Sequence, residues 1–292
     1  MPSSGKVPSP ITWAMPLGTL AQFMLPRWAA LRIATVAGWL AFRLNRRQRS
    51  LVVTNMRHVL GQNASEEEVQ RTALAVFKNL ARNYADVLRI PVLRKRVTEL
   101  VSFDNRALNA ALAMNRGVVL VTPHLGNWDL AGVFLSAIGI PISAVVEAIP
   151  RGWTRTFARY RNAITMETIP IFNHRAIARA LIRRRVLALV ADRDITGRGI
   201  LLDAFGARRS YPRGPAAYAL RFGSPVVVGY FVFQNCPGRP PYLAVVEPPL
   251  QFHASGNIDT DINKFTSIIA ENLNRLIARF PDQWLVFDAG WR

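Results

Sequence analysis

Cysteine, histidine and acidic residues are what this 292-residue chain has least of: one Cys, four His and 18 Asp plus Glu. The lone Cys236 excludes an internal disulfide and any CxxC metal pair, and it is compatible with a reducing compartment. No G-x-S-x-G segment occurs, which argues against a serine esterase of the α/β-hydrolase type. Zinc-finger spacing, an RRM aromatic motif and a Lys-rich low-complexity arm are missing too. Nor is there an unbroken apolar run of about 20 residues, the length a helix needs to cross a bilayer core. The longest charge-free stretch, 7–26, is broken by Pro8, Pro10, Pro16 and Gly18, and the cleaner Ile33–Phe42 is short. No clear signal-peptide cleavage pattern is present.

Against the 18 acidic residues stand 37 Lys and Arg, a formal charge of +19 and a pI near 11.5. An excess of that size points to a polyanionic partner: nucleic acid, an anionic membrane or phosphate-bearing substrates. Its placement is uneven. Residues 1–65 hold eight basic residues (Lys6, Arg27, Arg32, Arg43, Arg46, Arg47, Arg49, Arg57) and no acidic one, beside an apolar stretch with Trp13, Trp28 and Trp39. Apolar, aromatic and basic character together suit the headgroup layer of an anionic leaflet. Residues 1–44 therefore read as a tail and membrane-docking helices, and 45–292 as one α/β domain, since half of the chain is apolar and supports a large core. A basic nucleic-acid-binding protein without catalysis is the rival reading. Salt-sensitive DNA binding without vesicle binding would favour it.

Further along, Ser65-Glu66-Glu67-Glu68 forms a capping box, and Val69, Ala73, Phe77, Leu80, Tyr84 and Leu88 follow at helical spacing until Pro91. A short helix is expected over 104–115. Apolar runs at 118–122, 141–146, 168–172, 186–190, 225–233 and 243–246 read as strands, alternating with helices. Gly214-Pro215 opens an Ala-rich helix, and Asp259 or Asp261 is expected to cap the last one. Gly197-Arg198-Gly199 and Phe205-Gly206 bracket a loop, followed by Arg208, Arg209 and Arg213. Alternating strand and helix predicts a mainly parallel sheet flanked by helices, with ligands bound at the strands' carboxyl ends.

Three of these strands finish in polar residues. The first ends at Thr122-Pro123 and gives way to His124, Gly126, Asn127 and Asp129. Pro123 cannot donate to a ladder, so His124 falls just past the strand. Asp129 falls in the first turn of the next helix, where a carboxylate is favoured and can reach back toward the imidazole. This is the base half of a catalytic triad without a Ser or Cys beside it, so the imidazole must activate a hydroxyl brought by a substrate. The second ends at Glu147, and the third at Asp192-Arg193-Asp194, whose acids could orient a polyol acceptor or brace His124. Arg151–Arg185 carries nine Arg and one acidic residue, Glu167; of these, Arg159 and Arg161 are placed nearest Glu147 and suit a phosphate contact.

HLGNWD after VVLVTP resembles the His-x4-Asp block of the lysophospholipid acyltransferase superfamily, most closely its lipid A biosynthesis acyltransferase branch, which includes the mycobacterial phosphatidylinositol mannoside acyltransferases. Glu147 with Tyr160-Arg161, the stretch from Ala191 to Val227 and FPDQWLVF are similar to later blocks of that family, in the same order. The resemblance implies a glycerol-3-phosphate acyltransferase-like fold. It also implies a general base at His124, oriented by Asp129, with Asn127, Glu147, Arg161, Asp192, Arg193 and Asp194 as further site residues. Acyl-CoA or acyl carrier protein is the implied co-substrate, a membrane glycolipid or lysophospholipid the acceptor, and the cytoplasmic face of the cell membrane the location. No metal, cofactor or nucleic acid is expected. The chain ends Asp288-Ala289-Gly290-Trp291-Arg292, whereas lipid A enzymes usually show a basic residue before the final Trp.

Overall fold

The computed structural model describes residues 25–147, 166–234, 236–288 and 290–292. Its main helices among the described residues are α1 Arg27–Leu44, α2 Arg46–Leu60, α3 Glu66–Leu88, α4 Arg106–Ala113, α5 Trp128–Ala137, α6 His174–Ile182, α7 Gly214–Phe222 and α8 Ile258–Arg279. The strands are β1 Val101–Phe103, β2 Val118–Thr122, β3 Ile142–Val146, β4 Glu167–Pro170, β5 Val186–Val190, β6 Ile200–Ala204, β7 Ala207–Tyr211, β8 Val226–Phe233 and β9 Tyr242–Val246. Seven of them form one sheet in the order β1-β9-β8-β2-β5-β3-β4.

Neighbours from β8 to β4 pair in parallel, whereas β9 runs antiparallel to β8 and β1 parallels β9. The expectation of a mainly parallel sheet between helices thus holds, with β9 and β1 reversed at one edge. Side chains alternate across a strand, and the core divides accordingly. Val119, Val121, Leu187, Leu189, Val226 and Val228 face α2, α3, α6 and α8. Val118, Leu120, Val186, Val227 and Phe231 face α4 and α5. A strand buried on both faces needs an unbroken apolar run, which is why β2 reads VVLV rather than alternating.

Ser65 caps α3 as read, its Oγ accepting from the Glu68 N–H at 3.2 Å. Gly214-Pro215 opens α7 as expected. Two readings are corrected. The stretch read as a loop from Gly197 to Gly206 contains β6, which pairs antiparallel with β7 through a turn at Phe205-Gly206, with Ile200 opposite Tyr211. The mix of Arg, Ser and Asp in those strands hides them from a period-two search. At α8 the cap is Asn257, whose side chain accepts from the Thr260 N–H at 3.1 Å, and Asp259 and Asp261 sit in the first turn. Asp261 instead accepts from the Ser255 and Gly256 amides, closing the loop that leads into the helix.

Helix α1 lies against α3, where Gly38 lets the two backbones approach: a Cβ there would stand 2.7 Å from Lys78 Cα. Arg27, its first residue, is bound to the buried Asp86 at 2.8 Å. The outward side of α1 leaves Trp28, Ile33, Val36, Trp39, Leu40 and Leu44 exposed. Among the described residues no helix is long and apolar enough to cross a membrane.

Candidate active site

β2 and β5 are parallel neighbours in register, with Thr122 opposite Val190. His124 and Asp192 each lie two residues beyond that pair, so the two chain ends leave the sheet side by side. The consequence is a hydrogen bond of 2.6 Å between His124 Nδ1 and Asp192 Oδ1. An ionised carboxylate can only accept, so Nδ1 carries a proton, and in the neutral imidazole the lone pair is then on Nε2. β3 is the next strand over, which brings Glu147 to the same edge.

Asp192 is fully buried and fully used. Its other oxygen accepts from the Trp284 indole N–H at 2.7 Å, and its backbone carbonyl accepts from Arg209 Nε at 3.2 Å. Burial pushes its carboxyl up, but the neighbouring imidazole, the Trp284 hydrogen bond and the Arg209 charge more than offset this and hold it below the usual carboxylate range. Arg209 is 3% exposed and lies between the faces of Trp284 and Trp291, 5.2 and 5.0 Å from their ring centres.

The turn that carries His124 is fixed by its backbone. The Gly126 N–H donates to Gln283 O and the Asn127 N–H to Phe231 O, both at 2.9 Å, while Leu285 N–H donates to His124 O at 2.8 Å. Asn83 of α3 donates to the Gly126 carbonyl at 2.5 Å. Gly126 has φ +61°, and a Cβ there would stand 1.9 Å from Phe231 O, so only glycine fits. Gln283 also binds both backbone groups of Phe233 through its side chain, at 2.8 Å each. The FPDQW segment is therefore the clamp that holds the turn against β8.

Asn127 caps α5, its Oδ1 accepting from the Leu130 N–H at 3.0 Å, and Asp129 lies in the first turn as the sequence predicts. The place on Nδ1 that the sequence reading gave to Asp129 is taken by Asp192. Asp129 instead borders both cavities beside the imidazole, and its charge, after burial, raises the Tyr84 phenol. Glu147 borders one cavity and lies 3.7 Å from Arg193 Nη1. Asp194 borders neither: its carboxylate accepts from the Thr196, Gly197 and Gly199 amides and the Ser210 hydroxyl, shaping the loop before β6. Arg159 and Arg161 lie outside the described residues. Trp284, Arg209, Asn83 and Gln283 were not singled out by the sequence reading, although Gln283 and Trp284 lie in the FPDQW block it noted.

Two cavities meet at this edge. One, of about 270 Å³, runs beside the sheet between Phe103, Leu120, Phe134, Ile142, Met166 and Phe231 and is strongly apolar. The other, of about 800 Å³, opens between α1, α3 and the turn that carries His124, with Asn45, Gln48, Asn83, Asn127 and Arg193 on its wall among apolar side chains. His124, Trp128 and Asp129 border both. An imidazole with Nδ1 anchored and no partner on Nε2 among the described residues, between an apolar slot and a groove that sets Asn45, Gln48, Asn83 and Asn127 among apolar side chains, can take a proton from a hydroxyl in the groove. Among the described residues no group of His, Cys, Asp and Glu could hold a metal ion.

The model of the bacterial lipid A biosynthesis acyltransferases matches residues 4–292. A phosphatidylinositol mannoside acyltransferase of Mycolicibacterium smegmatis is 29% identical over 247 residues, covering 81% of this chain and 77% of that protein. One of Mycobacterium tuberculosis is 30% identical over 227 residues, covering 74% and 69%. With that match across nearly its whole length, this chain belongs to the bacterial lipid A biosynthesis acyltransferase family and is an acyltransferase.

Proposed function

We propose that this protein moves a fatty acyl group from a thioester donor, acyl-CoA or acyl carrier protein, to a hydroxyl of a membrane glycolipid or lysophospholipid. The observation that carries the reading is the His124–Asp192 pair placed where two largely apolar cavities meet, the one beside α1 also carrying amide side chains and Arg193 on its wall. The apolar cavity suits the fatty chain, in a glycerol-3-phosphate acyltransferase-like arrangement, and the groove beside α1 suits the acceptor headgroup. His124 Nε2 takes the acceptor hydroxyl's proton as that oxygen attacks the thioester carbonyl, then returns a proton to the leaving thiolate. Asp192 holds the tautomer and offsets the imidazolium charge. Asp129 and Asn127 flank the acceptor side, and Glu147 lies on the wall of the cavity given to the fatty chain. No metal or cofactor enters the reading.

The same proposal seats α1 on the cytoplasmic face of an anionic membrane. Its outward residues are apolar, with the Arg32 guanidinium 5.4 Å from the Trp28 ring centre and Arg43 5.5 Å from that of Trp39. Such arginine and tryptophan pairs suit the headgroup layer, where a cation meets lipid phosphate while the ring sits at the apolar boundary. Mass spectrometry of lipids from cells with and without the gene tests the reading. Loss of one acylated glycolipid or phospholipid, with its deacylated precursor accumulating, is the expected result. An unchanged lipid profile contradicts it.

A further inference from the structure

We infer that Arg193 is a further catalytic residue, whose guanidinium donates to the thioester carbonyl oxygen as that oxygen takes up negative charge. This rests on the acyl transfer proposed above. A chain lying in the apolar cavity brings its carbonyl to the end where His124, Trp128 and Asp129 border both cavities. The oxygen needs a donor there. The three amides that follow the imidazole are already committed: Leu125 to Pro123 O, Gly126 to Gln283 O and Asn127 to Phe231 O. Among the described residues bordering either cavity, Arg193 is the single lysine or arginine.

Its guanidinium is aimed. Nε pairs with Asp288 Oδ2 at 2.5 Å, Nη1 lies 3.7 Å from Glu147, and Nη2 has no partner among the described residues. Glu147 belongs to the wall of the apolar cavity and Arg193 to that of the groove, so the cation spans their junction. Asp288 is held from behind by Arg209 Nη2 at 3.2 Å, the same buried guanidinium whose Nε binds the Asp192 carbonyl. Arg209 thus ties the carboxylate behind the base and the carboxylate behind the oxyanion donor into one frame. Asp288 is a positioning residue.

In the step, the acceptor oxygen bonds to the carbonyl carbon, its proton passes to His124 Nε2, and the C=O π pair moves onto the oxygen facing Arg193. On collapse that pair re-forms the carbonyl, the C–S bond breaks, and the sulfur leaves with its electron pair and takes the proton from Nε2.

The test pairs turnover of a long-chain acyl-pantetheine thioester, a moiety common to CoA and carrier protein, with binding of the non-hydrolysable alkyl-pantetheine thioether. Removing an oxyanion donor lowers kcat by about 10²–10³-fold, and that loss is expected for Arg193→Gln with thioether affinity kept within about twofold. Asp288→Asn is expected to lower kcat about tenfold at constant KM, with recovery in Asp288→Glu, a pattern that general loosening of the fold does not give. Turnover by folded Arg193→Gln within about threefold of wild type, or a loss seen wholly in thioether affinity, overturns the inference. A wild-type protein that transfers from no thioester overturns the proposed function itself, before any variant is made.

Discussion

The Asp192 carboxylate is bound by an imidazole and an indole, so replacing it with an amide does more than remove a charge. The amide would offer its carbonyl oxygen to one partner and its NH₂ group to the other, and an NH₂ opposite Nδ1 forces the proton onto Nε2, where it blocks the base. Asp192→Asn is therefore expected to lower kcat by about 10²–10⁴-fold, the usual worth of general base catalysis, while KM for donor and acceptor stays near wild type. Steady-state kinetics in both substrates checks this. Equal activity of the amide variant would mean that the Nδ1 partner is immaterial. The chain announced His124 by what surrounds it, a strand stopped by Pro123 and followed by small polar residues. It did not announce that Asp192 rather than Asp129 meets Nδ1, because that depends on β2 and β5 being neighbours, and strand order is not written in the spacing along one segment. Trp284 and Arg209 are hidden for the same reason: they reach Asp192 from 92 and 17 positions away.

Among the elements, those with strong periodicity were the legible ones. β2, β5 and β8 are apolar runs buried on both faces, and α3 and α8 carry apolar stripes one turn apart. The β6–β7 hairpin was missed because it is half exposed and built from Arg, Ser and Asp, and β1 because three residues give no period. The turn from β2 into α5 is an element of its own, held by β8, α3 and the 281–285 segment rather than by its own residues. Gly126 is its weakest point. A Cβ at φ +61° that meets Phe231 O at 1.9 Å forces the turn away from β8. Gly126→Ala is expected to destabilise the protein by about 3 kcal/mol, from overpacking plus left-handed strain, and to abolish activity in the fraction that stays folded. Thermal unfolding followed by circular dichroism measures it, and a melting temperature unchanged from wild type would show that the clamp is dispensable.

For the whole molecule, the charge of +19 and the sheet class were both readable from composition and alternation. The pair of cavities was not, since a cavity is made by elements far apart in the chain. The buried Asp192 links this architecture to pH. Its carboxyl is held below the ordinary 3.8 in the fold, so its contribution to stability is present above the unfolded value and is lost as pH falls through the folded one. At the other end, burial pushes the Tyr211 phenol up to about 12 and Tyr242 well above its ordinary value. Their contributions are present below the ordinary 10 and are lost as pH rises through the folded values. Stability is thus expected to fall with acid below about pH 4 and with alkali above about pH 10. Denaturant titrations across pH test this, and the acid limb should be shallower in Asp192→Asn. Identical acid limbs would show that Asp192 does not set it.

The central claim is that one imidazole, anchored at Nδ1 and free at Nε2, draws the proton from a lipid hydroxyl while a fatty thioester waits beside it. Its most direct test is transfer of a labelled long-chain acyl group from CoA, and separately from acyl carrier protein, to glycolipid and lysophospholipid acceptors in anionic vesicles. Wild type and His124→Ala are compared side by side. Labelled lipid from wild type and a loss of about 10²–10⁴-fold in a folded, vesicle-bound His124→Ala is the predicted result. Transfer undiminished by the loss of His124 contradicts the account.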